Sequence, residues 1–191
     1  MEPIENRVAQ GEIEVYNLAD LWDDAPITEL DISTFLVEGL MLKEEEFRDA
    51  VEEHDWSQYE NEHVALYCST DAIVPTWGYM LIASELNGTA RSTTIGREDD
   101  LLREYYTTAL DNEDWSQYED TPVVIKGCGD DIVPEMAYVH ATQKLQEVAR
   151  KLMYGEPCSS VPLWRRPQDN EDKPDAEAVG VTKPDLPSPN A

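Results

Sequence analysis

Positive charge is scarce in this chain: 14 Lys and Arg stand against 41 Asp and Glu, a formal charge of −27 over 191 residues. Such a surface repels a phosphate backbone at ordinary salt, which argues against nucleic acid and anionic membrane as partners. Acids spread through every segment, with only six lysines, fit a protein kept soluble in a very salty, halophilic cytoplasm, where screening lengths fall to a few ångströms. Long apolar runs are also lacking, and none approaches the ~20 residues of a membrane span. The amino-terminal "MEPIENRVAQ" has neither the basic region nor the apolar stretch of a secretion signal, so the expected location is cytoplasmic. Cysteines number three, an odd count in a chain too large to need stapling, which argues against a disulfide framework and for reduced thiols. No CxxC or Cys/His spacing specifies zinc, no glycine-rich phosphate cradle is present, and no GxSxG marks a serine nucleophile.

What is present is enough apolar residue, 41%, to bury one sizeable core. The expected organisation is a single domain over residues 1–164. After it, the proline-rich, acidic segment 165–191 has no hydrophobic period and is read as a disordered tail. "EIEVY" and "ITELDI" are short strand candidates, and Phe47, Ala50 and Val51 mark an amphipathic helix. "VALYC" is an apolar strand, after which Pro75 opens a helix stopped by Asn87-Gly88. "ARSTTIG" and "TPVVIKG" are further strands, separated by a helix whose stripe is Leu102, Tyr105, Tyr106 and Leu110. Tyr138, Ala141, Leu145, Val148 and Leu152 predict a last helix from Pro134 to Met153, closed by Arg150, Lys151 and then Gly155. Alternation of strand and helix predicts an α/β fold, a mostly parallel sheet with helices on both faces.

The chain repeats itself. "DWSQYE" at Asp55 returns at Asp114, and sliding the chain by 59 residues without a gap also matches Val64 with Val123, Asp71 with Asp130, "IVP" with "IVP", Tyr79 with Tyr138 and Leu86 with Leu145. The unit, 55–86 and 114–145, is a strand, a turn and a helix start. Its aromatics, Trp56, Tyr59, Trp115 and Tyr118, are expected to pack at the foot of each strand. Asp71 and its counterpart are expected to bond their own turn backbone, with proline setting the following dihedral.

Each copy also sets a cysteine between strand and helix, "CSTDAIVP" and "GCGDDIVP". If the Ala90 and Thr121 strands flanked the Val64 strand, the strand order would reverse between Cys68 and Cys128, where open parallel sheets bind ligands. Helix amino termini favour thiolates, while Asp71, Asp130 and Asp131 oppose them. The cysteines fall one position out of register, and the competing reading is two small packing residues. Cys158, after the predicted last helix, is expected at the opposite end of the sheet. His54, His63 and His140 are isolated in sequence and read as surface or core histidines. Asp71, Asp130 and Asp131 offer the alternative of a magnesium-dependent carboxylate enzyme.

On "HDWSQYENEHVALYCSTDAIVPTWGYM", "VVIKGCGDDIVPE" and "MYGEPCSSVPLW", with "IENRVAQ" and "FLVEGLMLKEEEFRDAV", the chain from Ile4 to Trp164 resembles an uncharacterised bacterial family, domain of unknown function 2480. The resemblance carries over Cys68, Cys128 and Cys158 individually. It implies no known activity, but an association with genes for sulfur-mobilising iron–sulfur assembly. From these follow three expectations. The first is an accessory protein whose Cys68, Cys128 and Cys158 handle iron, zinc or an iron–sulfur cluster beside iron–sulfur assembly proteins. The second is a non-catalytic interaction module with structural cysteines, and the third is the magnesium enzyme.

Overall fold

The computed structural model describes residues 13–127 and 132–167. Its elements run β1 (Glu14–Tyr16), β2 (Ile27–Asp31), α1 (Glu44–Glu53), β3 (His63–Tyr67), α2 (Thr76–Leu86), β4 (Ser92–Ile95), α3 (Glu98–Asn112), β5 (Pro122–Ile125), α4 (Glu135–Val148), β6 (Lys151–Glu156) and β7 (Ser159–Arg165), with short 3-10 helices between. The fold is mixed α/β, with mostly parallel sheets and helices packed on them. Among the described residues no helix is long and apolar enough to cross a membrane.

The expected single sheet is two. β2, β3 and β4 form one, all parallel; β1, β5, β6 and β7 form the other, in which only the β6–β7 pair is antiparallel. β3 therefore has β2 and β4 as neighbours, and β5 has β1 and β6. The two repeat copies do not share a strand pair, and among the described strands there is no order reversal between β3 and β5. On the first sheet, Leu30, Val64 and Leu66 face α1 and α2 through Phe47, Val51, Ile82 and Leu86, all nearly fully buried. Each such side chain contributes roughly 1.5–3 kcal/mol. On the second, Val123, Ile125 and Leu152 meet Ala137, Ala141 and Leu145 of α4.

α3 serves both sheets. Its Leu102, Tyr106 and Leu110 join the core of the second sheet. Its Glu104 accepts a hydrogen bond from Thr94 of β4 (2.8 Å), so the first sheet has helices on both faces. Asp99 and Asp100 lie in its first turn, where the helix dipole favours them.

The "DWSQY" phrase takes the same local form in both copies. Asp55 and Asp114 accept from the Ser57 and Ser116 amides and cap 3-10 helices, Trp56–Tyr59 and Trp115–Tyr118. The indole N–H of Trp56 donates to the Val51 carbonyl at the end of α1 (2.9 Å), and that of Trp115 to the Leu110 carbonyl in α3 (3.1 Å). Carbonyls at a helix end have no intrahelical partner, so the indoles satisfy acceptors that would otherwise need water. Tyr59 and Tyr118 are buried behind them, as expected of packing aromatics.

The last helix departs from expectation. α4 ends at Val148, and Lys151–Glu156 is instead β6, paired in parallel with β5. Leu152 fits a helical stripe from Leu145 and Val148, but consecutive Leu152 and Met153 are both buried. That pattern belongs to a strand with two covered faces. Gly155 is no helix stop; its φ of +119° lies in the β6–β7 hairpin, where a Cβ would meet the Ser159 carbonyl at 3.0 Å. Arg165 closes β7, and the backbone and side chain of Arg166 donate to the Arg150 and Val148 carbonyls. The structured part thus runs past the expected boundary at 164, and the remaining tail lies outside the described residues.

Candidate functional site

His63, placed by the sequence among isolated histidines, occupies the best-built polar site. It is the first residue of β3 and only 3% exposed. Its Nδ1 lies 2.7 Å from the Ser92 hydroxyl at the start of β4, and its Nε2 lies 3.0 Å from Asp23 Oδ1. Parallel pairing sets Ser92 beside His63, and the 22–25 segment brings Asp23 across. Arg91 holds the other Asp23 oxygen at 2.7 Å and also donates to the Asn61 carbonyl (3.1 Å). Rings of Trp22 and Tyr105 pack against the imidazole, with centroids at 4.9 and 5.3 Å. Desolvation works to raise the Asp23 pKa, yet hydrogen bonds from His63, the Ala25 amide and Arg91 outweigh it and hold the carboxyl below the ordinary range. Asp23 is thus the fixed acceptor of the network. In the neutral tautomer that donates Nε2–H to it, Nδ1 accepts from Ser92.

Ser92 opens onto a cavity of about 310 Å³ between β4 and α3, whose wall also includes Thr94, Leu101, Glu104, Tyr105 and Ala109. That volume is at the small end for organic ligands. Tyr105 donates its hydroxyl to the Leu21 carbonyl (2.8 Å). Burial raises its pKa, as does the nearby Asp23 charge, so the proton stays in place. Another hollow of about 320 Å³, walled by Tyr138, Val139, Tyr154 and Leu163, has no charged lining. Of these two, the β4–α3 cavity is the one with the buried His63 network behind it.

Ser92, His63 and Asp23 stand in the order of nucleophile, base and orienting acid. Two features work against acyl transfer. The group lies at the amino ends of its strands, whereas open parallel sheets place ligand chemistry beyond the carboxyl ends. The same cavity wall carries the Glu104 carboxylate, which opposes a developing oxyanion where catalysis needs donors.

The predicted cysteine site is not assembled by the described residues. Cys68 follows β3 on the first sheet, is half-buried against the α1–α2 core, and its sulfur sits 3.4 Å from the Thr70 hydroxyl. Cys158 is exposed at the turn between β6 and β7 of the second sheet. Cys128, Asp130 and Asp131 lie outside the described residues. Among those described, no group of three or more His, Cys, Asp or Glu side chains could hold a metal. A helix through 151–153 would put Cys158 at the opposite end of the sheet, but these residues are strand. As β6 runs parallel to β5, the β6–β7 turn instead falls at the carboxyl end of β5. There the Tyr154 hydroxyl donates to the Gly127 carbonyl (3.0 Å), and a Cβ on Gly127 would lie 2.5 Å from the Tyr154 ring.

Asp71 is exposed and makes no side-chain hydrogen bond among the described residues, contrary to its expected turn role. Its neighbourhood is organised by Asp31, whose Oδ1 accepts from the Ser33 (2.9 Å) and Ser69 (3.1 Å) amides. Pro75 and Pro134 cap α2 and α4 with extended dihedrals rather than occupying their first turns.

The family model for proteins of unknown function designated DUF2480 matches residues 2–166. The chain belongs to this family. No curated protein and no solved structure matches it. The DUF2480 match spans both sheets, so Asp23, His63, Ser92 and all three cysteines fall inside it. Sequence reasoning missed the His63 network because its members are 29 and 40 positions from the histidine and form no short motif.

Proposed function

We propose that the protein is a non-catalytic accessory module that binds a small organic molecule in the cavity between β4 and α3. The observation that carries this is the buried His63, clamped between Asp23 and Ser92, with Ser92 set into the cavity wall. A network that fixes a hydroxyl at a cavity surface preorganises a polar contact, which lowers the ordering cost of binding. The test is a thermal-shift screen of small polar compounds on wild type and Ala109→Met, a substitution that fills the cavity from a half-buried helix position. Compounds that bind only the folded state raise Tm. The proposal expects hits with wild type that vanish with Ala109→Met; hits that persist unchanged in the variant would contradict it.

A second reading keeps thiolate handling of iron, zinc or a cluster, in the company of iron–sulfur assembly proteins, but moves it from Cys68 to Cys158 and Cys128. Supporting it, the exposed Cys158 turn stands at the carboxyl end of β5, the strand that leads through Gly127 to Cys128. Elemental analysis of anaerobically purified protein separates the sites. This reading expects bound metal to be lost in Cys158→Ser and Cys128→Ser and kept in Cys68→Ser; a metal content independent of all three contradicts it.

A further inference from the structure

The hydrogen-bond directions around the β4–α3 cavity assign the charge of its ligand, an inference that rests on the binding reading above. The Ser92 proton is directed to His63 Nδ1 in the tautomer that donates to Asp23. Thr94 directs its proton to Glu104 Oε2 (2.8 Å), and Tyr105 directs its own to the Leu21 carbonyl (2.8 Å). At the far end, Asn112 donates an amide proton to the Thr108 carbonyl (2.8 Å). Ser92, in that tautomer, and Thr94 thus have committed their protons and keep oxygen lone pairs for the cavity, while Asn112 keeps its side-chain carbonyl oxygen and the Thr108 hydroxyl can accept as well as donate. Glu104 adds a carboxylate whose Oε1 is not used by Thr94. Leu101, Tyr105 and Ala109 supply the apolar wall.

We infer that the cavity takes a small primary ammonium with an apolar stem. The ammonium has three donors and no acceptor, which complements hydroxyl oxygens and a carboxylate. Its stem lies along Leu101 and Ala109, and the Tyr105 ring adds a face that attracts cations. A carboxylate or phosphate ligand would meet the Glu104 charge.

The probe is butylammonium, with butyrate and butanol as matched anionic and neutral probes, followed by amide chemical-shift mapping. Because a chain of charge −27 attracts any cation, the titrations are run in about 1 M KCl, where the screening length is ~3 Å. Butylammonium is expected to saturate shifts at Ser92, Thr94, Leu101 and Ala109. Glu104→Gln is expected to weaken it about tenfold, the equivalent of one charge-assisted hydrogen bond, while the remote Glu119→Gln leaves it unchanged. Saturation of the same resonances by butyrate or butanol at least as strongly as by butylammonium overturns the ligand class and leaves the binding reading standing. Equal weakening by both Glu variants overturns it as diffuse cation attraction. Absence of saturable shifts at the cavity with all three probes overturns the class and, with a screen free of Ala109-dependent hits, the binding reading too.

Discussion

Replacing Ser92 by alanine isolates the clamp on His63. The imidazole is 3% exposed, so in the tautomer that donates Nε2–H to Asp23 the lost hydroxyl leaves Nδ1 an acceptor with no protein partner, facing the cavity. That costs about 1–3 kcal/mol, which for a chain of this length lowers Tm by roughly 2–4 °C for each kcal/mol. The reciprocal background is His63→Phe, whose ring packs between Trp22 and Tyr105 and needs no partner, while Arg91 still pairs Asp23. In that background Ser92→Ala frees nothing buried, and its cost falls to within ~0.5 kcal/mol of zero, the usual scatter of uncoupled sites. Urea unfolding of the four proteins, with midpoints and slopes compared at fixed salt, measures the coupling. A Ser92→Ala cost that is the same in both backgrounds would show that the hydroxyl does not serve the histidine, and the preorganisation argument would fall with it.

Gly127→Ala should destabilise the second sheet, because its Cβ would sit 2.5 Å from the Tyr154 ring; the added Tyr154→Ala should recover part of the loss, a non-additivity readable by thermal melts. Trp56→Phe and Trp115→Phe should cost similar amounts, about 1 kcal/mol each for the lost hydrogen bond, since both indoles satisfy carbonyls of the preceding helix; a large cost at one and none at the other would refute the shared role. Desolvation opposes ionisation of Asp31, but hydrogen bonds from Ser69 and Ser33 outweigh it and lower its pKa from 3.8 to about 2. A carboxyl depressed in the folded state stabilises above its unfolded pKa and loses that contribution as pH falls through the folded value. Asp31→Asn should therefore flatten the acid limb of stability between about pH 4 and pH 2; an unchanged limb in urea titrations would contradict the assignment.

Local patterns were legible where period and punctuation agreed. β3, α2, β4, α3 and β5 lie where alternation, Pro75, Asn87-Gly88 and the Leu102–Leu110 stripe place them. Residues 149–156 were not, because Leu152 satisfies a helical period and Gly155 resembles a helix stop; only pairing with β5 distinguishes strand from helix there. Two sheets rather than one could not be read from order along the chain, since strand adjacency is set by the packing of α3 between them. The placing of the cysteines after strands says nothing about which sheet each strand joins. The His63 network depends on strand register and on a loop that reaches across from Asp23, neither of which leaves a sequence signature.

The central claim, that the β4–α3 cavity is a binding site, is tested most directly by a crystal structure of the protein soaked with the strongest hit from the thermal-shift screen. The account predicts density for the compound between β4 and α3, within hydrogen-bonding distance of Ser92 and Glu104. Ordered compound elsewhere, with the cavity holding only water, would contradict it.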